Sequence, residues 1–245
     1  MSVKKTKVWS FGNFYSKDNT FLKKGKIAWN YLFKLIQNKK NKKIIFWDIG
    51  CAEGALLKFI EHKFPKWSYF GSENNWKLIN SARKNTNKSK IFFDDVLKKY
   101  KKSKKKGDII FAGGLHPIFD NLELFLNRTI ERCEKSGEIF LHGAFNPNNI
   151  DMIIRMRDCT KKNFLKNKIN VIGWNRFSEK TARIILKKNP RVKKFKFITI
   201  NFPKSLKVKK TIPFRGVTKI INNRVYFVNE MNIIEDSKLL HIKLK

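Results

Sequence analysis

One segment, residues 44–57, constrains the fold more than any other part of the chain; its sequence is IIFWDIGCAEGALL. The first four residues are apolar, which is typical of a short strand buried on both faces of a sheet. The pattern breaks at Asp48, Gly50 and Gly54, and apolar residues then return at helical spacing. A strand, a tight glycine turn and a helix in this order predict the first βα unit of a nucleotide-binding α/β sheet.

Apolar strands alternate with helical segments as far as about residue 145. Further strands are predicted at 67–73, 90–96, 108–112 and 138–143. This alternation predicts a doubly wound α/β fold with a mostly parallel sheet and right-handed crossovers. Three more strands are predicted at 195–200, 225–228 and 239–244, and the alternation in the last one suits an antiparallel partner.

Several helix boundaries follow from capping residues and turn residues. An amphipathic helix is predicted from Phe21 to Ile36, and Asp120 is expected to cap a helix that ends near Cys133. Ser136 and Gly137 are expected to close that helix before the fifth strand. Ser178 is expected to cap a helix that extends to Lys188. No repeat or linker divides the 245 residues, so one domain is predicted.

The net charge of +36 is the most unusual property of the composition. One interpretation is a nucleic-acid partner, because Lys and Arg neutralise phosphates. The other is codon bias: Lys, Asn, Ile and Phe are abundant, and the charge is spread along the whole chain. The three cysteines lack paired or metal-type spacing, and no apolar run approaches the length of a membrane helix. Together with an N-terminus unlike a signal peptide, this predicts a cytoplasmic protein with no membrane insertion and no metal site.

Acidic residues follow the second and third strands, as they follow the first. Glu73 is placed to accept hydrogen bonds from both hydroxyls of a ribose, and Asp95 to accept one from an adenine amino group. The first turn lacks a Walker lysine, and Asp48 and Glu53 place negative charge beside it. That charge suits a ligand with a cationic end better than a pyrophosphate. S-adenosylmethionine (SAM) carries such an end, an ammonium and a sulfonium.

With these residues, the chain resembles the class I SAM-dependent methyltransferases. DIGCAEG at 48–54 is similar to their first motif, Glu73 to their ribose-binding acid, and Asp95 with Val96 to their adenine-binding pair. The segment AGGLH at 112–116 resembles the lining of their methionine and acceptor sites. The resemblance covers residues 40–145 and implies a Rossmann-like, seven-stranded sheet with an antiparallel strand near the C-terminus. Segments at 145–151, 173–178 and 227–229 resemble parts of small bacterial methyltransferases.

The resemblance implies SAM as the cofactor and a defined set of binding residues. It also implies that residues 1–40 form a helical cap and that residues 145–190 form an acceptor-side insertion. His116 is a candidate general base, with packing in the site wall or backbone hydrogen bonding as its alternative role, and His142 is a weaker candidate. The predicted cofactor contacts are Asp48, Gly50, Cys51, Ala52, Gly54, Glu73, Asn74, Asp95, Val96 and Gly113.

Three functions remain open at this point. A small-molecule methyltransferase is favoured by Trp174, Asn175 and Arg176, which could form the wall of a compact polar pocket. An RNA or DNA methyltransferase is favoured by the charge, although the motifs for adenine-N6 and cytosine-C5 chemistry are missing. A SAM-type binding protein without catalysis is the third possibility. The acceptor, the methylated atom and the oligomeric state are left open.

Overall fold

The computed structural model describes residues 25–100, 105–156, 171–172, 175–201, 217–221, 224–228 and 234–245. Within these residues the chain forms five α-helices: α1 (Ile27–Ile36), α2 (Ala55–Glu61), α3 (Trp76–Asn85), α4 (Leu122–Glu131) and α5 (Glu179–Lys188). The strands are β1 (Ile45–Ile49), β2 (Ser68–Glu73), β3 (Ser89–Phe93), β4 (Gly107–Gly113), β5 (Cys133–Phe145), β6 (Arg155–Met156), β7 (Val171–Ile172), β8 (Val192–Thr199), β9 (Val217–Ile221), β10 (Arg224–Val228) and β11 (Ile234–Leu244).

The main sheet has the predicted arrangement. Seven strands lie in the order β3-β2-β1-β4-β5-β11-β8, and the first five are parallel. β11 is antiparallel to both of its neighbours, β5 and β8, which makes it the single reversed strand of the seven. A β9–β10 hairpin pairs with the first residues of β11 and lengthens the sheet. β6 and β7 form a separate antiparallel pair.

Helices cover both faces of this sheet, so each strand of its centre is buried on two sides. Alternate residues of β1 point into different layers. Phe46 packs in the cluster that includes α1, α2 and α3, whereas Trp47 packs in the cluster that includes α4 and α5. Both side chains are fully buried, and the indole Nε1 of Trp47 donates to Ser72 Oγ at 2.9 Å. This double burial explains why the first strand is apolar without alternation.

Some predicted boundaries differ from the structure. The cap of α4 is Asn121, whose Oδ1 accepts a bond from Leu124 N at 2.8 Å, and not Asp120. Ser136 and Gly137 do not close this helix, because β5 already begins at Cys133, which is paired with Gly107. Local turn signals failed here because pairing with β4 decides where β5 begins.

Other helix boundaries agree with the sequence. The hydroxyl of Ser178 caps α5 by accepting from Thr181 N at 3.1 Å, as predicted. The helix predicted from Phe21 to Ile36 begins later than predicted: α1 starts at Ile27, after the extended backbone of Lys26, and Phe21 itself lies outside the described residues. Among the helices that the structure describes, none is long and apolar enough to cross a membrane.

Candidate functional site

The loop between β1 and α2 has three residues in the left-handed region of backbone space. They are Gly50 (φ 69°), Ala52 (φ 49°) and Gly54 (φ 78°). The N–H groups of Gly50 and Cys51 donate to Ser72 O at 2.8 and 3.0 Å, which ties the loop to β2. A Cβ at Gly54 would lie 2.8 Å from Thr86 Cγ2, so both packing and φ require glycine there. The loop is therefore a tight, fixed turn at the carboxyl edge of the sheet.

Two acids flank this loop, one of them buried and the other half-buried. Asp48 lies in β1 beside Gly71 of β2, and Glu73 is the last residue of β2. Glu73 Oε2 accepts from Ala52 N at 3.2 Å and Oε1 from Asn74 N at 2.8 Å. These bonds connect the two strand ends through the loop.

The electrostatics of the two acids favour a ligand that donates hydrogen bonds or carries positive charge. Burial raises the pKa of Asp48 well above its usual range, the negative charge of Glu73 raises it further, and Lys26 opposes both effects. Burial also raises the pKa of Glu73, while the backbone N–H groups around it lower that pKa. The carboxylate forms are thus under-compensated within the chain.

At the end of β3, two consecutive acids take different positions. Asp94 is held by Arg132: Nε donates to Oδ2 at 2.8 Å and Nη2 to Oδ1 at 3.0 Å. Asp95 is half-buried and accepts a bond from Leu97 N at 3.1 Å through Oδ1. Val96 is buried against the core that α4 covers. The predicted adenine pair, Asp95 and Val96, therefore follows the strand end, and its neighbour Asp94 has a structural partner.

The turn after β4 completes the edge. Gly113 is exposed, and Gly114 has φ 66° with open space where a Cβ would be. Gly114 N donates to His142 O at 2.7 Å, which holds the turn against β5. Ile49 of β1 lies beside Ser72 of β2 and Ala112 of β4, so these carboxyl ends are neighbours along one edge.

Two of the predicted contacts have mainly local roles in the structure. Cys51 is buried, and a Cβ at Gly71 would lie 3.0 Å from its Sγ, so the thiol is packed between the strands. Burial raises the pKa of this thiol, which disfavours a nucleophilic thiolate. Asn74 is exposed and uses its backbone N–H to bind Glu73. Contact of these residues with a cofactor stays a prediction.

His116 occupies the wall of the site. It begins a 3-10 turn, is buried, and lies with Nε2 3.2 Å from Ala144 O. Its ring is stacked on Phe145 with centroids 4.4 Å apart. Burial, together with the charges of Arg176 and His142, lowers its pKa to about 3, although the bond to Ala144 O opposes this shift. An imidazole with this pKa is a weak base at neutral pH. Its pKa and its burial therefore favour packing in the site wall as the role of His116 over general-base catalysis.

His142 is also held within the fold. Its Nε2 lies 3.1 Å from Ser237 Oγ, and burial with the nearby charge of Lys26 lowers its pKa to about 4. The Lys26 side chain thus influences both His142 and Asp48, which places the start of α1 close to the carboxyl edge. No sequence signal identified Lys26, because its position depends on how α1 packs on the sheet.

The proposed polar wall at 174–176 is partly described. Asn175 is fully buried: its N–H donates to Pro117 O at 2.8 Å, and its Nδ2 to Phe119 O at 2.9 Å and Asp120 Oδ1 at 3.1 Å. Arg176 is buried close to His116, and Trp174 lies outside the described residues. Asn175 therefore fixes this segment to the turn after β4, whereas the sequence suggested a pocket wall.

The comparisons with known proteins agree on the fold. No protein-family model matches the sequence, and no curated protein matches it. A plantazolicin methyltransferase, solved with a triazolic desmethyl analogue and SAH, is 13% identical with a TM-score of 0.58, over 96% of this chain and 89% of that one. A putative methyltransferase from Bacillus halodurans is 12% identical with a TM-score of 0.55, over 88% and 99%.

A coclaurine N-methyltransferase, bound to N-methylheliamine and SAH, is 16% identical with a TM-score of 0.51. The match covers 70% of this chain but 51% of that one, so this chain spans about half the length of that enzyme. A mostly parallel seven-stranded sheet with one antiparallel strand near the C-terminus is common to the prediction and the structure. The chain thus has the Rossmann-like α/β fold of the class I methyltransferases.

Proposed function

We propose that the chain is a SAM-dependent methyltransferase that moves a methyl group to an oxygen or nitrogen of a small-molecule acceptor. The observation that carries the proposal is a pair of acids, the buried Asp48 and the half-buried Glu73, at neighbouring strand ends beside a loop with left-handed backbone. Their raised pKa values mean that the ionised pair is incompletely compensated by the residues that the structure describes. A ligand with an ammonium group and hydroxyl donors offsets this cost.

The residues at the edge fit each part of this cofactor. Asp48 would attract the ammonium end, and Glu73 would accept bonds from the ribose hydroxyls. Asp95 would accept a bond from the adenine amino group, with Val96 against the ring. The turn at Gly113 leaves open space for the methionine end, because its neighbour Gly114 has no atom within 4 Å of a Cβ position.

The chain's own residues would contribute alignment more than acid–base chemistry. The bound cofactor supplies a methyl group that its sulfonium has already activated. The fixed loop at 50–54 and the turn after β4 would hold the donor in one orientation, which lowers the entropic part of the barrier. His116 and Phe145 form a stacked, buried wall that excludes water behind the site. A base is required only if the acceptor must lose a proton.

The small-molecule acceptor is supported by the neighbours in fold, which include a plantazolicin methyltransferase and a coclaurine N-methyltransferase. Residues 145–190 are proposed as the acceptor-side insertion and residues 1–40 as the cap. An RNA acceptor is the second candidate, and the net charge of +36 favours it. Methyl incorporation from labelled SAM into a small-metabolite pool and into RNA, at physiological salt, separates the two.

Calorimetry with S-adenosylhomocysteine tests the cofactor assignment directly. Glu73→Ala should weaken binding about tenfold or more, because it removes a charged acceptor for two hydroxyls. Glu123→Ala is the matched control, since Glu123 is an exposed acid in the first turn of α4. If the wild-type protein binds no S-adenosylhomocysteine, or if both variants bind it equally well, the assignment is wrong.

A further inference from the structure

Arg132 is a buried arginine that the mechanism above does not use. Its side chain is 1% exposed and lies just after α4, at the opposite end of that helix from the Asn121 cap. Its guanidinium lies 5.0 Å from the centre of the Tyr100 ring. A full positive charge at such a position requires a complete set of acceptors.

The acceptors of Arg132 come almost entirely from the turn after β3. Nε and Nη2 bind the two carboxylate oxygens of Asp94 at 2.8 and 3.0 Å, in a fork. Nη2 also lies 3.2 Å from Asp95 O and 3.2 Å from Lys98 O. Nη1 donates to Arg128 O at 2.8 Å, which ties the group back to its own helix. One guanidinium therefore holds both the side chain and the main chain of residues 94–98.

The bonds from Arg132 determine which of the two adjacent acids, Asp94 or Asp95, is available to a ligand. Arg132 holds Asp94 in a buried ion pair, while the main chain of Asp95 is fixed by Arg132 and by a turn bond from Lys98 N at 2.9 Å. Leu97 N then fixes Oδ1 of the Asp95 carboxylate at 3.1 Å. In the described part of the chain Oδ2 of Asp95 has no hydrogen-bond partner. Asp95 is thus held by two bonds to its main-chain oxygen and one to its carboxylate, while Asp94 is occupied by Arg132.

We infer that Arg132 is a positioning residue for adenine recognition, which it secures by sequestering Asp94 and fixing Asp95 at the strand end. The inference rests on the proposed function, because it needs a cofactor with an adenine amino group. Arg132 itself does not touch the ligand. Its effect passes through the carboxylate of Asp95, so the readout must report on the amino group and not only on stability.

A pair of ligands provides that readout. S-adenosylhomocysteine has the 6-amino group, and S-inosylhomocysteine has an oxygen in its place. The wild-type protein should prefer the amino compound about tenfold or more in calorimetry, because a carboxylate accepts from the amino group and faces an oxygen unfavourably in the analogue. Arg132→Met, which keeps an apolar stem but loses every donor, should reduce this preference to about threefold or less.

Arg191→Met is the matched control. Arg191 also secures the end of α4, with Nη1 2.6 Å from Ile130 O and Nη2 2.8 Å from Cys133 O, but none of its recorded bonds reaches residues 94–98. It should lower the melting temperature and leave the ligand preference at the wild-type value. If Arg132→Met does not fold, Asp94→Asn replaces it: the weakened fork should give a smaller but measurable loss of preference.

The outcomes separate the inference from the function beneath it. Absence of S-adenosylhomocysteine binding in the wild type overturns the proposed function. Normal binding by the wild type with no preference between the two ligands overturns adenine recognition by Asp95, and with it the inference. A folded Arg132→Met or Asp94→Asn variant with the wild-type preference shows that Arg132 is only structural.

Discussion

Carboxyl groups at the two edges of the sheet have pKa values that are shifted in opposite directions. Toward the amino edge, Glu138 in β5 has partners for both oxygens: Lys39 Nζ at 2.6 Å and His241 Nε2 at 2.8 Å. Burial raises the pKa of Glu138, but the bonds from His241 and Lys39 outweigh it and lower the pKa to about 2. At the carboxyl edge, Asp48 and Glu73 have raised pKa values.

The difference distinguishes a carboxylate that stabilises the fold from one that is kept for a ligand. Glu138 obtains its compensation from two separate parts of the chain, Lys39 after α1 and His241 in β11, so its charge is already satisfied in the folded chain. Asp48 and Glu73 are ionised at a cost that the chain itself does not offset. A site whose carboxylate charge is incompletely compensated is a candidate for ligand binding. The substitutions below test whether the two edges of the sheet differ in this respect.

The largest effect on stability is expected at Glu138. Glu138→Gln removes the charge that Lys39 and His241 share, in a side chain that is 10% exposed. We expect a loss of about 2 kcal/mol in the free energy of unfolding measured by urea, because a buried partner is left uncompensated. Glu123→Gln, in an exposed acid, should change it by less than about 1 kcal/mol. If the two variants are equally stable, Glu138 does not stabilise the fold, and the contrast between the two edges of the sheet is wrong.

The pH dependence of this variant has a defined sign. The folded state lowers the pKa of Glu138 from 4.5 to about 2, so the stabilisation is complete above 4.5 and is lost as the pH falls toward 2. The difference in unfolding free energy between wild type and Glu138→Gln should therefore shrink through this window. Urea titrations at several pH values measure it, and a difference that grows on acidification contradicts the assignment.

At Asp48 the sign is reversed. The folded state raises the pKa of Asp48, so this group stabilises the fold at low pH and costs stability as the pH rises from its ordinary pKa toward the raised one. Asp48→Asn should therefore raise the melting temperature of the ligand-free protein at neutral pH. It should also reduce the further rise that S-adenosylhomocysteine produces in the wild type. A lower melting temperature without ligand would make Asp48 a structural acid like Glu138.

A smaller effect, on activity, is expected at His116. Its pKa of about 3 keeps the ring neutral at every pH above that value, so it offers little driving force for accepting a proton. His116→Gln, which preserves a donor toward Ala144 O, should lower kcat less than about tenfold, whereas loss of a general base costs about 10²–10⁴. The pH–rate profile with any accepted substrate provides the check. If the wild-type profile has an acid limb that disappears in the variant, His116 acts as a general base.

The sequence predicted the parts of this molecule that depend on local order. Asp48 and Glu73 lie at the carboxyl ends of β1 and β2, and Asp95 lies just after β3. Parallel connectivity brings such strand ends to one edge whatever the details of packing. The seven-stranded sheet and its antiparallel strand near the C-terminus followed from the family resemblance, and the structure confirmed both. The acids at this edge could be identified because their positions are set by chain direction.

The remaining features depend on contacts between distant residues. Asp94 and Arg132 are 38 positions apart, and nothing in either segment indicates that they form a fork. The burial of His116 comes from Phe145 and Gly143, where a Cβ would lie within 2.5 Å of the ring. The start of β5 at Cys133 depends on pairing with β4. Sequence alone therefore suggested a more accessible His116 than the fold contains.

The smallest effect is expected at Ala52, which adopts φ 49° in the loop between the two acids. Left-handed backbone costs a residue with a Cβ about 1–2 kcal/mol, while glycine loses more entropy on folding, so Ala52→Gly should stabilise the chain by less than about 1 kcal/mol. Ser136→Gly is the matched control, because Ser136 has φ 59° in an exposed part of β5 away from this edge. Urea unfolding should give similar gains for both variants, and a loss in either one contradicts the strain argument. Of these two residues, Ala52 is the one whose N–H donates to Glu73. A drop in S-adenosylhomocysteine affinity confined to Ala52→Gly would therefore mean that the alanine holds this donor in place, and equal affinities would assign that task to the bonds with Ser72 O.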